Sequence, residues 1–189
     1  MYNDAGVTIN GYKQSIGLNT TEEDAAFTFN VAKALGATHV TMELPTDPAV
    51  SKRAGELAEK NRFYIGYHNH TGVNFNSWDA ALSQSKYNGM NFDVGHYFGG
   101  TGESPIPLMQ KYHDRIMSLH LKDKKSLKNG GQNMPWGQGE TPLKEVLLLM
   151  RKQKWNFPAN IELEYPTPEG STSLIEIGKC VKYAKDALA

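Results

Sequence analysis

Four residues whose side chains can bind a metal ion recur at regular intervals, each in a short apolar run. They are Glu43 in HVTMEL, His68 in YIGYHNH, Asp93 in MNFDVGH and His120 in IMSLHLKD, at intervals of 25, 25 and 27 residues. Carboxylate oxygens and imidazole nitrogens bind hard and borderline divalent cations such as Mn²⁺, Mg²⁺, Co²⁺ and Zn²⁺. The pattern therefore predicts a divalent metal site, and the mixed donors leave the identity of the metal open.

A fifth apolar run, NIELEY, adds Glu162 and Glu164 after a longer gap. Because side chains alternate between the two faces of a strand, Glu162 and Glu164 share one face, as do His68 and His70 in YIGYHNH. This alternation does not show which member of either pair binds the metal. Imidazoles also act as general acids and bases near neutral pH, so the same residues suit proton transfer as well as metal binding.

The spacing of these residues is typical of repeated strand–helix units. The first strand is expected around Val7 to Gly11, and helices are expected from Thr20 or Thr21 to about Leu35 and from Ile106 to Tyr112. The apolar runs are typical of parallel strands covered on both faces, where ligands bind beyond the carboxyl ends of the strands. The sequence predicts one α/β domain of the (β/α) TIM-barrel type over residues 1–189, with about six of the eight strand–helix units.

The stretch KDKKSLKNGGQNMPWGQGE is rich in lysine, glycine and asparagine, so it is expected to be a long loop. A helix at Pro142 to Lys152 follows it. Within this stretch Lys122 lies nearest to a strand end, where a ligand is expected to bind. Trp136 suits either of two roles, stacking on a sugar face or packing the loop down, and the sequence leaves both open.

The composition narrows the class of protein. Twenty basic and twenty acidic side chains give no basic excess for a nucleic acid, and no apolar stretch approaches the ~20 residues needed to cross a bilayer. Cys180 is the single cysteine, so neither an intrachain disulfide nor a thiolate metal cluster can form. We expect no nucleic-acid or membrane partner, and a cytoplasmic location by default, or a periplasmic one if an N-terminal region is missing.

Taken in order, YHNH, NFDVGH, SLHLKD, PWGQGETPL and IELEY resemble the C-terminal two-thirds of the xylose-isomerase-like family of sugar phosphate isomerases and epimerases. The resemblance implies a TIM barrel with one divalent metal bound by Glu, Asp, His and Glu from four late strands. By motif, it implies that the last three ligands are Asp93, His120 and Glu164, with Glu162 the second choice for the final position.

The resemblance also implies a small sugar or sugar derivative as the ligand. His96, from DVGH, matches a histidine that contacts the substrate, and Lys122 and Asp123 lie where substrate-facing residues follow the metal histidine. Glu43 precedes the strands that carry the metal, so it fits a contact to the substrate or the pocket wall. Trp136 is the further candidate for a sugar contact.

One position departs from the family pattern. The strand that supplies the leading Glu reads YIGYHNH here, so His68 stands where a carboxylate is expected and becomes the fourth predicted metal ligand. In the epimerases that Glu and the final Glu form an acid/base pair. Here the catalytic pair is predicted to be Glu164 with an imidazole, from His68 or His70 in this strand or from His96. Isomerisation or epimerisation beside a carbonyl is the first hypothesis, and elimination by a keto-sugar or keto-glycoside lyase or dehydratase is the alternative.

The chain also has two strand–helix units fewer than the family barrel. An open barrel exposes its first and last strands, and such edges invite pairing, so we expect a homo-oligomer or a partner chain that completes the barrel. Two further hypotheses are an inactive barrel fragment and a relative of the DNA-repair endonucleases that share this barrel. The balanced charge argues against the endonuclease.

Overall fold

The computed structural model describes residues 2–189 and contains eight strands and seven α-helices within that range. The strands are β1 (Gly11–Lys13), β2 (His39–Glu43), β3 (Tyr64–His68), β4 (Asn88–Asp93), β5 (Ile116–Leu121), β6 (Asp123–Lys124), β7 (Asn133–Met134) and β8 (Ala159–Ile161). The helices are α1 (Glu22–Ala34), α2 (Pro48–Asn61), α3 (Asp79–Gln84), α4 (Val94–Thr101), α5 (Ile106–Tyr112), α6 (Leu143–Gln153) and α7 (Ser173–Leu188). None of the helices in the described range is both long and apolar enough to cross a bilayer.

Six strands form one sheet in the order β1-β2-β3-β4-β5-β8. Pairing is parallel between β1 and β2, β2 and β3, β3 and β4, and β5 and β8. A helix follows each of β1 to β5 and β8 before the next strand of this sheet or the end of the chain. This alternation confirms the predicted fold class, a (β/α) barrel type with six of the eight units.

The contacts divide the chain into two compact units, and each collects several separate segments. The first unit holds the chain up to His68 together with Asn76–Phe92 and Arg115–Ser118. The second unit holds Asn69–Phe75, Asp93–Asp114 and Leu119–Ala189. The single domain over residues 1–189 stays a prediction.

Helix α1 in the first unit shows why the early elements were predictable. The Thr21 side chain accepts a hydrogen bond from the Asp24 amide at 3.1 Å, and acidic residues fill the first turn, where they suit the helix dipole. Gly36 follows the helix with φ +80°, a conformation that glycine adopts without strain. The first strand was predicted too early, because pairing begins at Gly11 and not at Val7.

The first unit contains a buried polar cluster on its strands, which we call the neutral network. Ser118 Oγ lies 3.0 Å from His39 Nε2 and donates to Asn91 Oδ1 at 2.8 Å. Asn91 Nδ2 in turn donates to Thr41 Oγ1 at 2.9 Å. Gly66 leaves room for the imidazole, since a Cβ atom there would lie 2.9 Å from His39 Cδ2. The buried His39 imidazole therefore has a packing role in this unit.

In the second unit the predicted long loop is held down by one carboxylate. Asp123 accepts backbone hydrogen bonds from Gly137 at 2.8 Å, Gly139 at 3.0 Å and Thr141 at 3.1 Å. Strands β6 and β7 pair antiparallel within the loop. A Cβ atom at Gly139 would lie 2.2 Å from Asp123 Oδ1, so this position has no room for a side chain. The loop is therefore more ordered than its composition indicated.

Candidate active site

Asp93 is the last residue of β4 and is fully buried. Its Oδ1 accepts a hydrogen bond from the His96 amide at 2.7 Å and so caps helix α4. Asn69 holds its backbone from both sides, accepting from the Asp93 amide at 2.9 Å and donating to the Asp93 carbonyl at 3.1 Å. These bonds fix the carboxylate and leave Oδ2 directed at other groups.

His120 and Glu162 meet where β5 and β8 run side by side. His120 pairs in register with Asn160, and the Glu162 amide donates to the Leu121 carbonyl at 2.9 Å, which extends the pairing beyond β8. The two side chains then approach to 2.7 Å between His120 Nδ1 and Glu162 Oε2. An ionised carboxylate can only accept, so Nδ1 carries a proton and, in the neutral imidazole, the lone pair lies on Nε2. A metal-binding histidine is typically oriented in this way.

Lys122 supplies the positive charge of the site, and its side chain is only 2% exposed. Its Nζ lies 3.1 Å from Asp93 Oδ2, 3.0 Å from Glu162 Oε2 and 2.5 Å from Glu164 Oε2. Burial opposes the ammonium form, but these carboxylates outweigh it and raise the pKa of Lys122. We call Asp93, His120, Lys122, Glu162 and Glu164 the charged cluster.

The two most buried carboxylates of the cluster are affected in opposite directions. Burial raises the pKa of Asp93 well above its ordinary value, although Lys122 acts against this shift. Burial also acts to raise the pKa of Glu162, but the hydrogen bonds it accepts, first from His120, lower it overall. At neutral pH Glu162 therefore holds its charge more firmly than Asp93.

His96 is a neutral imidazole in this site. Its Nε2 lies 2.8 Å from Lys122 Nζ, and because an ammonium group can only donate, Nε2 accepts and Nδ1 carries the proton. Burial and then the charge of Lys122 lower the pKa of His96 to about 3. The pKa of Glu164 is also lowered, since the hydrogen bond and charge of Lys122 outweigh burial. Glu164 is thus an ionised carboxylate, and its side chain is 37% exposed.

The donor atoms fit a divalent cation. One ligand atom from each of Asp93, His120 and Glu162 lies within 4.8 Å of the others. Two carboxylate oxygens and one imidazole nitrogen suit Zn²⁺, Mn²⁺, Co²⁺ or Mg²⁺. Asp93 Oδ2 is buried, and it makes an ion pair with Lys122 but no hydrogen bond. An ammonium group standing among three carboxylates shows that the site is built around positive charge.

The structure changes the interpretation of the two glutamates in NIELEY. Strand β8 ends at Ile161, so both glutamates follow the strand. Glu162 lies with Asp93 and His120, whereas Glu164 contacts Lys122 and lies 3.7 Å from His96 Nε2. The motif comparison favoured Glu164 for the metal, and the geometry places Glu162 in the candidate ligand group. Strand parity could not make this distinction.

Three other predicted site residues are not members of the charged cluster as defined above, and two of them, His68 and Glu43, belong to the first unit. In the first unit, His68 is buried at the end of β3, and Glu43 Oε1 is bound by Lys13 Nζ at 2.8 Å. In the second unit, His70 is exposed, with its ring 4.8 Å from that of His96. The metal, catalytic and substrate roles of these three side chains stay predictions.

Trp136 lies against helix α7, edge-on to Tyr183 with 5.8 Å between the ring centroids. It lines a cavity of about 400 Å³ whose other walls include Leu121, Leu147 and Ile161. Such an apolar cavity offers few partners for the hydroxyl groups of a sugar, so it is not the candidate site. Of the two roles that the sequence left open, this position favours packing the loop.

Two features of the site were not predicted from the sequence. Helix α4 begins directly at Val94, within the run that was taken as a strand end, and Lys122 lies at the centre of the charges instead of at their margin. Gly95 is the residue in the sequence that could have indicated the position of Lys122. A Cβ atom there would lie 2.3 Å from Lys122 Cγ and 2.4 Å from the Lys122 carbonyl oxygen. The glycine in DVGH is therefore what lets Lys122 enter the site.

Comparison with known proteins identifies the family to which this chain belongs. The model of the family described as xylose isomerase-like TIM barrel matches residues 23–180. The chain belongs to this family, as its motifs indicated.

Among curated proteins, the chain is similar to inosose dehydratases. It is 34% identical to that of Clostridium beijerinckii over 76 residues, which are 38% of this chain and 25% of the relative. It is 27% identical to that of Bacillus thuringiensis over 131 residues, 58% of this chain and 43% of the relative. The chain thus spans less than half the length of these relatives.

Solved structures share the fold at low identity. A xylose isomerase domain protein from Planctomyces limnophilus superposes with a TM-score of 0.74 at 14% identity, covering 98% of this chain and 78% of that one. The IOLI protein, solved with a zinc atom, gives a TM-score of 0.73 at 15% identity, with 96% and 76% covered. Both likenesses show the fold alone.

Proposed function

We propose that this chain carries the site of a metal-dependent dehydratase that acts on a polyhydroxylated ketone. The observation that carries the proposal is the charged cluster, in which a candidate metal-ligand group lies beside an ionised, partly exposed carboxylate, Glu164. Elimination of water begins with removal of a proton next to a carbonyl group, which requires a base and a positive charge near the carbonyl oxygen. The similarity to inosose dehydratases supports elimination as the outcome.

Asp93, His120 and Glu162 are the proposed metal ligands, and the metal role of His68 stays a prediction from the sequence. A bound divalent cation supplies Lewis-acid polarisation of the substrate's carbonyl group. The zinc atom in the structure of the similar IOLI protein supports a metal in this class of site. Three properties of the Asp93, His120 and Glu162 side chains support their assignment as metal ligands. These are their charge, their oxygen and nitrogen donor atoms, and the short distances between those atoms.

Glu164 is the proposed base, because its carboxylate is ionised and more exposed than the other acids of the cluster. It takes the proton from the carbon next to the carbonyl. The carbon–oxygen bond on the adjacent carbon then breaks, and the leaving hydroxyl group takes a proton from the proposed acid, His70, and departs as water. Lys122 holds Glu164 in position through its 2.5 Å hydrogen bond and stabilises negative charge nearby.

A second candidate function, isomerisation or epimerisation, shares the first step. It is favoured by the ionised, partly exposed Glu164 carboxylate, since a base that removes a proton next to a carbonyl group is also able to return it. The two functions differ only in whether the hydroxyl group leaves. Deuterium exchange without loss of water would support this second candidate.

The test is turnover of the metal-loaded protein on keto-inositols, ketoses and 3-keto-glycosides in D₂O, followed by NMR. We expect loss of water from at least one cyclic ketone, and Glu164→Gln should lower the rate at least ~100-fold. Glu23→Gln, an exposed acid on α1, is the matched control and should keep the wild-type rate. Metal binding with neither exchange nor turnover would contradict the proposal and indicate an inactive fragment.

Association with another chain also stays a proposal. Strands β1 and β8 are outermost in the sheet order, and unpaired strand edges favour association. Helix α7 exposes apolar side chains, of which Leu174 is 81% exposed. We expect a homo-oligomer in size-exclusion chromatography with light scattering, with a partner chain as the other outcome. A monomer at all concentrations and without a partner would contradict this proposal.

A further inference from the structure

Lys122 competes for the oxygen atoms that the proposed metal would use. Its ammonium group contacts Asp93 Oδ2 at 3.1 Å and Glu162 Oε2 at 3.0 Å. These two carboxylates belong to the candidate ligand group. A cation that binds both carboxylates therefore meets an ammonium group already next to them.

The ammonium group has more neighbours than protons. It carries three N–H donors, whereas Asp93, Glu162, Glu164 and His96 all lie within 3.1 Å of Nζ. Its hydrogen bonds to Glu164 and His96 are the shortest contacts, at 2.5 and 2.8 Å. Asp93 Oδ2, at 3.1 Å, makes the longest of the four contacts. The contact to Asp93 is thus the weakest of the four and the first that a stronger cation would replace.

The Glu162 carboxylate is also a partner of both Lys122 and the proposed metal. Its Oε2 atom accepts from His120 Nδ1 at 2.7 Å and lies 3.0 Å from Lys122 Nζ. A metal on this carboxylate would place a second positive charge close to the ammonium group, and the two charges repel strongly in a buried site. Metal binding therefore works against the present position of Lys122 Nζ.

The stem of Lys122 has little freedom to leave. Its Cγ and carbonyl oxygen occupy the space beside Gly95, where even a methyl group would overlap them. The movable part is the end of the side chain. Glu164 and His96 hold that end at distances that need no contribution from Asp93 or Glu162.

We propose that Lys122 is a built-in competitor of the metal, an internal cation that balances the carboxylates of the metal-free protein and weakens metal binding. On metal binding its ammonium group gives up Asp93 and Glu162 and keeps Glu164 and His96. This inference rests on the metal site of the proposed function. It makes Lys122 a residue that sets metal affinity, in addition to positioning the base.

The test is calorimetric titration of the chelator-stripped full chain with Mn²⁺ or Zn²⁺ alone. Lys122→Met removes the charge and keeps an apolar stem, so it should lower the Kd for the metal at least tenfold. Lys124→Met is the matched control. Lys124 is also buried and lies two residues away, but its ammonium group is bound to the Gly131 carbonyl and Asn133 Oδ1, so the Kd should stay within threefold. Circular dichroism of each variant checks that it folds.

The thermal midpoint gives a second readout. Without metal, Lys122→Met should melt below the wild type, because three carboxylates lose their counter-ion, and metal should raise its midpoint more than that of the wild type. Equal or weaker metal binding by the variant would overturn the role of Lys122 while leaving the metal site of the proposed function in place. If neither wild type nor variant binds metal, both proposals fall.

Discussion

The two units each contain a buried polar cluster, and the clusters differ in charge. The neutral network of the first unit links His39, Ser118, Asn91 and Thr41 by hydrogen bonds between uncharged groups. The charged cluster of the second unit sets three carboxylates around one ammonium group. The first is balanced within itself, whereas the second has an excess of negative charge.

The difference gives a criterion for separating buried polar groups that stabilise the fold from buried polar groups that serve a function. Burying neutral groups that are fully hydrogen-bonded costs little and favours one arrangement of the core. Burying like charges is costly, and such clusters concentrate at binding and catalytic sites. Burial alone does not distinguish the two clusters, because His39 and Asp93 are both almost completely buried.

The largest expected effect is on metal binding by Asp93→Asn. The metal loses one anionic ligand, so its Kd should rise at least ~100-fold, which corresponds to about 2.7 kcal/mol. The free energy of unfolding of the metal-free protein should be unchanged or higher. Asparagine keeps the cap on α4, and the change removes a buried charge from a cluster that holds too many.

Titration calorimetry and urea denaturation of the same samples measure both quantities. A variant that keeps the wild-type Kd would remove Asp93 from the metal site. A large loss of stability would show that the charged cluster is structural and would break the comparison.

The second prediction concerns the neutral network, where a substitution should lower the stability of the protein and leave its metal affinity unchanged. Asn91→Ala removes the partner of Ser118 and of Thr41, so the free energy of unfolding should fall by about 2 kcal/mol. The Kd for the metal should stay within threefold of the wild type, because the change removes no charge. Urea denaturation checks the first result and calorimetry the second. A variant as stable as the wild type would show that the network contributes little.

The smallest effect concerns pH. The pKa of His96 in the folded protein is lowered to about 3 from an ordinary value of 6.5. Between these values the unfolded chain binds more protons than the folded one, so His96 favours folding above pH 6.5 and this contribution is lost as the pH falls. The slope from one such group is at most about 1.4 kcal/mol per pH unit.

His96→Gln removes this titration and keeps a polar side chain at the position. The difference in unfolding free energy between wild type and variant should therefore shrink steadily from pH 6.5 to pH 4, as measured by urea denaturation at several pH values. A difference that does not depend on pH would show that His96 is not held neutral by the fold.

Much of the fold could be predicted from the sequence, because the signals were local. The cap at Thr21, the acids behind it and the proline that begins α2 each act within one turn of helix. Helix α5 was predicted at its observed limits, Ile106 to Tyr112. The loop before α6 was predicted with less order than it has, because the Asp123 carboxylate binds amides 14 to 18 residues away.

The candidate site was predictable in composition but not in arrangement. Asp93 and His120 were singled out because polar residues at the ends of apolar runs are conspicuous. The different contacts of Glu162 and Glu164 arise beyond the end of β8 at Ile161, which parity could not reveal. The position of Lys122 depends on the space at Gly95, on another element.

Lys122 and Asp123 are neighbours in sequence with different partners: one binds the carboxylates of the cluster, and the other binds the amides of the loop. A single inserted or deleted residue between them would exchange the directions of all side chains on one side of the change. We therefore expect natural length variation in this region to fall in the segment 125–132 and to spare positions 120–124. The dipeptide would then be inherited as one unit, even where the loop beyond it diverges.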